Sequence, residues 1–311
     1  MRDSQAIVDA IRQSPAFTGL RLIGVAGSIG RGEKALSDED LNDVDVFVVV
    51  DAFDQQALDE LSATLRRLTN TEFTDVCCLK PDKLAGLGRK TRTYQYIYDT
   101  LAEHIIWYVD DAYRAQWQST CALDLRVNTT SAAIVLNTRM WCLLAPLCWE
   151  EDHGFGLAWD DGTKTRYQFA KALSAMVDAN LILDGNYQCA STADKFDLFR
   201  HSKFYGSLSD HQREILESVR HKDYRDADIL ALWQDLLIMY VNCRSAGKGL
   251  NLFGQTLLYW LNAILSSSRA GVRETTRQNW ERQRLLARIS RYLQNGGESP
   301  NRGFEKINAI R

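Results

Sequence analysis

Apolar and polar positions follow two rhythms along this chain. Up to about residue 127, short apolar runs alternate with amphipathic stretches. Ser4 to Gln13 places Ala6, Ile7, Ala10 and Ile11 on one stripe behind Ser4 as a cap, which predicts a helix. Leu20 to Ala26, Val44 to Val50 and Glu72 to Leu79 are rich in β-branched and apolar residues and predict strands. Between the last two, Leu58, Leu61, Leu65 and Leu68 mark a helix over Asp54 to Leu68. Pro81 ends the third strand, and a Gly/Lys/Arg-rich loop is expected through Arg92. Tyr94 to Tyr98 and His104 to Val109 read as two further strands, with His104 a strand-end or core histidine. Asp110-Asp111 then suits a helix N-terminus.

From about Asn128 the rhythm becomes helical. Segments 129–149, 164–183, 209–219, 226–245, 251–268 and 274–294 carry a 3.6-residue period. Loop signals separate them: Asp152-His153-Gly154-Phe155-Gly156, Asp184-Gly185-Asn186, Gly247-Lys248-Gly249 and Asn295-Gly296-Gly297. The expected class is therefore α+β. A mixed sheet with helices occupies 1–120, an all-helical domain occupies 121–311, and the boundary falls near Ala115 to Asn128.

Composition narrows the class. The 311 residues suffice for two domains, and 45% hydrophobic with 25% charged is ordinary for a globular protein. No apolar stretch approaches the roughly 20 residues of a membrane helix, and the N-terminus lacks a signal-peptide core. Seven scattered cysteines without a C-x-x-C pair predict buried, reduced thiols in a cytoplasmic protein and no structural zinc. Net charge is −3, yet Arg269 to Arg311 holds ten Lys/Arg against four Glu. Such a tail can meet nucleic acid. The favoured reading is a solvated helix with Trp280, Leu285, Ile289 and Tyr292 or Leu293 on its apolar stripe.

The candidate chemistry lies near the N-terminus. Gly27-Ser28 follows the run Leu22 to Ala26, and Asp43-Val44-Asp45 opens the run Val46 to Val50. Side chains at i and i+2 of a strand share a face, so Asp43 and Asp45 can converge on one hard cation such as Mg²⁺ or Mn²⁺. A glycine turn opening a helix lets backbone N–H groups approach a phosphate. Ser37-Asp38-Glu39-Asp40-Leu41 offers a second carboxylate pair, Asp38 and Asp40, of opposite parity. The first pair is preferred because the β-branched run follows it directly.

Strand, Gly27-Ser28-Ile29-Gly30-Arg31-Gly32, then Asp43-Val44-Asp45 on the next strand resembles the nucleotidyltransferase superfamily. That superfamily includes DNA polymerase beta and the aminoglycoside and lincosamide nucleotidyltransferases. The resemblance covers about the first third of the chain. It implies a nucleotidyltransferase-fold head, with Asp75 in Phe73-Thr74-Asp75-Val76 as the third carboxylate. Asp43, Asp45 and Asp75 would then be catalytic and metal-binding, and Gly27, Ser28 and Arg31 would contact the nucleotide. The family usually sets Asp-x-Asp closer to Gly-Ser, inside a Ser-Asp-x-Asp-Leu string. A weaker resemblance, Leu181-Ile182-Leu183-Asp184-Gly185-Asn186-Tyr187 followed by Lys195, implies a lysine on the phosphates; an exposed cap residue is the alternative.

What these resemblances imply is Mg²⁺-dependent transfer of a nucleoside monophosphate from an NTP, ATP first among them, to a hydroxyl of a small-molecule acceptor. A macromolecular acceptor (tRNA or a protein, in the manner of a toxin) and an inactive nucleotide-binding regulator are the alternatives. Nucleic-acid binding through the Arg-rich tail is not favoured, and no membrane partner is expected.

Overall fold

A computed structural model describes residues 3–39, 41, 43–71, 73–150, 154–157, 162–225, 228–245, 284–294 and 304. The chain divides into two compact units. The first is Met1–Asn128 with Cys189–Ser191, and the second is Thr129–Gln188 with Thr192–Arg311. Both strands and helices are present, so the class is α+β.

The first unit begins with α1 (Ser4–Gln13), capped by Asp3 rather than Ser4, because the Asp3 carboxylate accepts from the Gln5 N–H at 2.9 Å. Then follow β1 (Phe17–Thr18), β2 (Leu22–Val25), α2 (Gly27–Gly30), β3 (Asp43–Val49), β4 (Ala52–Phe53), α3 (Gln55–Thr69) and β5 (Phe73–Leu79). The unit continues with α4 (Pro81–Ala85), a 3₁₀ turn Gly86–Arg89, β6 (Arg92–Thr93), α5 (Gln95–Ala102), β7 (Ile105–Val109), α6 (Asp111–Cys121) and β8 (Arg126–Val127). The main sheet runs β5-β3-β2-β7. β3 and β5 are parallel, joined by the α3 crossover, and β2 is antiparallel to both its neighbours. Both faces are covered, which is why β3 reads as an unbroken apolar run. Val44, Val46 and Val48 pack with Ile7, Ile11, Leu58 and Leu65 of α1 and α3. Phe47 and Val49 pack on the other face with Leu84, Ile97, Leu101 and Trp117.

Two segments differ from the sequence reading. Residues 94–98 are not a strand, since α5 starts at Gln95. The alternating tyrosines imitate a strand, but Ile97 and Leu101, four residues apart, are the buried pair. The stretch from Pro81 is not all loop, because Pro81 occupies the first turn of α4, where its missing N–H costs nothing.

The second unit contains α7 (Thr130–Arg139), α8 (Trp141–Leu144), β9 (Leu147–Glu150), β10 (Gly154–Leu157), α9 (Gly162–Asp184), α10 (Thr192–Phe199), α11 (Lys203–Gly206), α12 (Asp210–His221) and α13 (Ile229–Ser245). α9 is central, packed by α7, α8, α10, α12 and α13. The all-helical expectation is corrected here: β9 and β10 form an antiparallel hairpin. Its second strand contains two glycines with little strand propensity, and Gly156 lets the Cys148 side chain approach closely. The helix expected at 251–268 and the first half of 274–294 lie outside the described residues. Residues 284–294 are helical, with Leu285, Leu286 and Ile289 buried, while Trp280 lies outside the described residues. No described helix is long and apolar enough to cross a membrane.

Candidate active site

The site residues of the first unit gather at one end of the main sheet. β2 delivers the chain to Ala26, whose N–H donates to the Asp45 carbonyl at 2.9 Å. Gly27 follows with φ +63°. A Cβ at this position would lie 2.0 Å from Asp45 Oδ2, so the carboxylate packs directly against the glycine backbone. α2 is one turn, held by Gly30 N–H on the Ala26 carbonyl at 3.0 Å and Arg31 N–H on the Gly27 carbonyl at 3.1 Å. The Ser28 carbonyl then accepts from Glu33 and Lys34, which turns the chain away from the sheet.

β3 enters this end with Asp43 half-buried and Asp45 exposed. Asp75 is exposed on β5 and is the register partner of Asp45 in the parallel pair. Register partners stand about 4.8 Å apart and project to the same face. All three carboxylates therefore share the face of Phe47 and Cys77. Cys77 reports their charge. Its thiol is pushed up to about 11, first by burial and then by the negative charges of Asp45 and Asp75. Cys78, on the opposite face, is raised to about 12 by burial and then by Cys77.

Like charges opposite one another weaken a sheet unless something neutralises them. Their donors are hard carboxylate oxygens, the kind Mg²⁺ takes. Among the described residues, no three His, Cys, Asp or Glu side chains are gathered closely enough to hold a metal ion by themselves. Mg²⁺ needs no such cage, since it is held by one or two carboxylates with water and substrate phosphate. The donor set fits the ion on that basis.

Asp38 serves the preceding loop. Its carboxylate accepts from the Ala35 N–H at 2.8 Å and its carbonyl from the Leu41 N–H at 3.3 Å. Asp40 lies outside the described residues. Arg31 ends α2 and pairs with Glu33 at 2.8 Å. Burial opposes its charge, but the hydrogen bond and charge of Glu33 outweigh this, and Cys189 and Asp99 add to the effect, so the guanidinium holds its proton more firmly than usual. Asp99 is on α5, and its carbonyl accepts from Cys189 Sγ at 3.9 Å. The Arg31-Gly32-Glu33 spacing carries a local signal for the first partner. Nothing near residue 31 in sequence signals Asp99 or Cys189.

His104, before β7, packs edge-on to Trp117 and Phe47, and Trp117 Nε1 donates to its Nε2 at 3.2 Å. Burial lowers its pKa. Lys195 belongs to the second unit and is only 9% exposed, so it is not a surface cap. Its ammonium donates to Tyr187 Oη at 2.8 Å and lies 3.2 Å from Asp178 on α9.

Neither protein-family models nor curated proteins match this chain.

Proposed function

We propose that the first unit catalyses Mg²⁺-dependent nucleotidyl transfer from an NTP to the hydroxyl of a small molecule, on a nucleotidyltransferase-type fold. The observation that carries the reading is the convergence of Asp43, Asp45 and Asp75 on one sheet face beside the Gly27 turn. Asp43 and Asp45 would hold the metal ion, with Asp75 beside them. When bound, the ion offsets phosphate charge and orients the triphosphate. Gly27 and Ser28 present backbone to the phosphates. Asp75 accepts the proton of the acceptor hydroxyl as its oxygen bonds to the α-phosphorus. The bond from that phosphorus to the bridging oxygen breaks, and pyrophosphate leaves with the electron pair. Arg31 keeps a positive charge near this end of the sheet.

Calorimetry with ATP tests the reading. Binding that requires Mg²⁺ or Mn²⁺ and vanishes in Asp45→Asn is expected. Equal affinity with and without EDTA refutes it. Mass spectrometry of products formed from each NTP and a metabolite extract would then identify base and acceptor.

A further inference from the structure

A second charged face occupies the segment between β5 and α5. From Lys80 to Tyr98 there are five basic residues, Lys80, Lys83, Arg89, Lys90 and Arg92, against one acidic residue, Asp82. All five basic side chains are exposed. The short parallel ribbon β6–β8 sets Arg92 directly beside Arg126 as register partners. Their neighbours Thr93 and Val127 are buried, so both arginines project outward from the ribbon. Two like charges placed opposite each other cost stability. Among the described residues, no carboxylate pairs with Lys90, Arg92 or Arg126. Asp124 lies two residues before Arg126, ahead of that strand.

An exposed ring follows these cations in the chain. Lys90 is extended and two residues before Arg92, so the two fall on one side of the ribbon, while the half-buried Tyr94 packs on the core cluster that includes Leu84 and Ile97. The Tyr94 and Tyr96 rings stack at 14°, with centroids 6.2 Å apart, and Tyr96 is 54% exposed. A row of unpaired cations ending in an exposed aromatic matches single-stranded nucleic acid, whose backbone seeks the cations and whose bases seek the ring. An acidic protein surface would use the cations and leave Tyr96 idle.

We propose that this face binds single-stranded nucleic acid, with phosphates on Lys90, Arg92 and Arg126 and a base stacked on Tyr96. None of Asp43, Asp45 or Asp75 takes part.

Fluorescence anisotropy of a labelled oligouridylate with the full chain tests this, without Mg²⁺ or NTP. The parent should bind at low salt and weaken steeply as salt rises. Arg92→Glu/Arg126→Glu should weaken binding about tenfold or more. Tyr96→Ala should weaken it about fivefold or more. All three side chains are exposed, so circular dichroism and melting should match the parent. Asp45→Asn should bind the oligonucleotide as the parent does, whether or not it binds ATP. Absence of salt-dependent binding, or binding unchanged by the charge reversals, overturns the proposal. Competition by polyglutamate equal to that by unlabelled oligonucleotide, or an unchanged Tyr96→Ala complex, overturns the assignment to nucleic acid.

Discussion

Gly27→Ala tests the contact that ties the glycine turn to the carboxylate. Two costs add at this position. The backbone is left-handed, φ +63°, which costs a residue with a Cβ about 1–2 kcal/mol. The new methyl would also lie 2.0 Å from Asp45 Oδ2 and 2.9 Å from its Cγ, and relieving such overpacking costs about 1–3 kcal/mol. Gly32 provides the reference, because its φ is +71° and nothing lies within 4 Å of a Cβ there. Gly32→Ala should therefore lose only the strain term, about 1–2 kcal/mol. Gly27→Ala should lose about 2–5 kcal/mol, the sum of both. Urea titration of the two variants side by side measures the difference. Repeating the pair in an Asp45→Ala background should remove most of the excess, as a double-mutant cycle requires of groups in contact. If Gly27→Ala costs no more than Gly32→Ala, or the excess survives without the Asp45 carboxylate, the close packing of turn and carboxylate is wrong.

Three further outcomes follow from the same geometry. Asp45→Asn should leave melting unchanged or slightly raised and lower the pH at which Cys77 reacts with iodoacetamide, because Asp45 helps to hold that thiol up at about 11; an unchanged labelling profile would separate Cys77 from the carboxylates. His104 has a lowered pKa in the fold, so the unfolded chain takes the proton first, and stability present above about pH 6.5 should fall as pH drops below it. His104→Gln should flatten that slope, measured by urea titrations at each pH, and an identical slope in the variant would refute the assignment. Asp178→Ala leaves the buried Lys195 ammonium without its carboxylate and should cost about 3 kcal/mol or more, while Asp178→Leu/Lys195→Met should recover most of it in thermal melts.

The parts of the fold legible in sequence are those where one local signal decides. The β-branched run after Asp45 fixes β3, and the leucines at 58, 61 and 65 fix α3, because each buries a face whose period is visible nearby. The shared face of Asp43 and Asp45 follows from strand parity alone. The pairing of Asp45 with Asp75 does not, since it depends on the register of two strands separated by the α3 crossover. Local signals also misled. Alternating tyrosines concealed the Ile97–Leu101 spacing of α5, and two glycines concealed the strand β10. Lys195 reads as a surface lysine or a phosphate ligand because Asp178, which pairs with it, lies on the preceding helix, beyond the reach of any local pattern.

The carboxylate end of the sheet is a poor solution if stability alone is at stake. Asp45 and Asp75 are neighbours across the strands, with Asp43 two residues away on the same face, and their mutual repulsion disfavours the folded state. The sheet tolerates this because the apolar layers beneath are continuous. Phe47 and Val49 carry the same face into the cluster around Trp117, and Val44, Val46 and Val48 anchor the opposite face. The strand is thus held by its valines and Phe47, which leaves Asp43 and Asp45 near its start to bear charge. Gly27 follows the same logic, since it accepts a left-handed backbone so that a carboxylate can lie against it. Unfavourable local choices held in place by a well-packed core are what a binding site costs a fold. A cation delivered with a polyphosphate would relieve the repulsion at the moment of binding. On this argument the destabilised end of the sheet and the proposed chemistry are one feature.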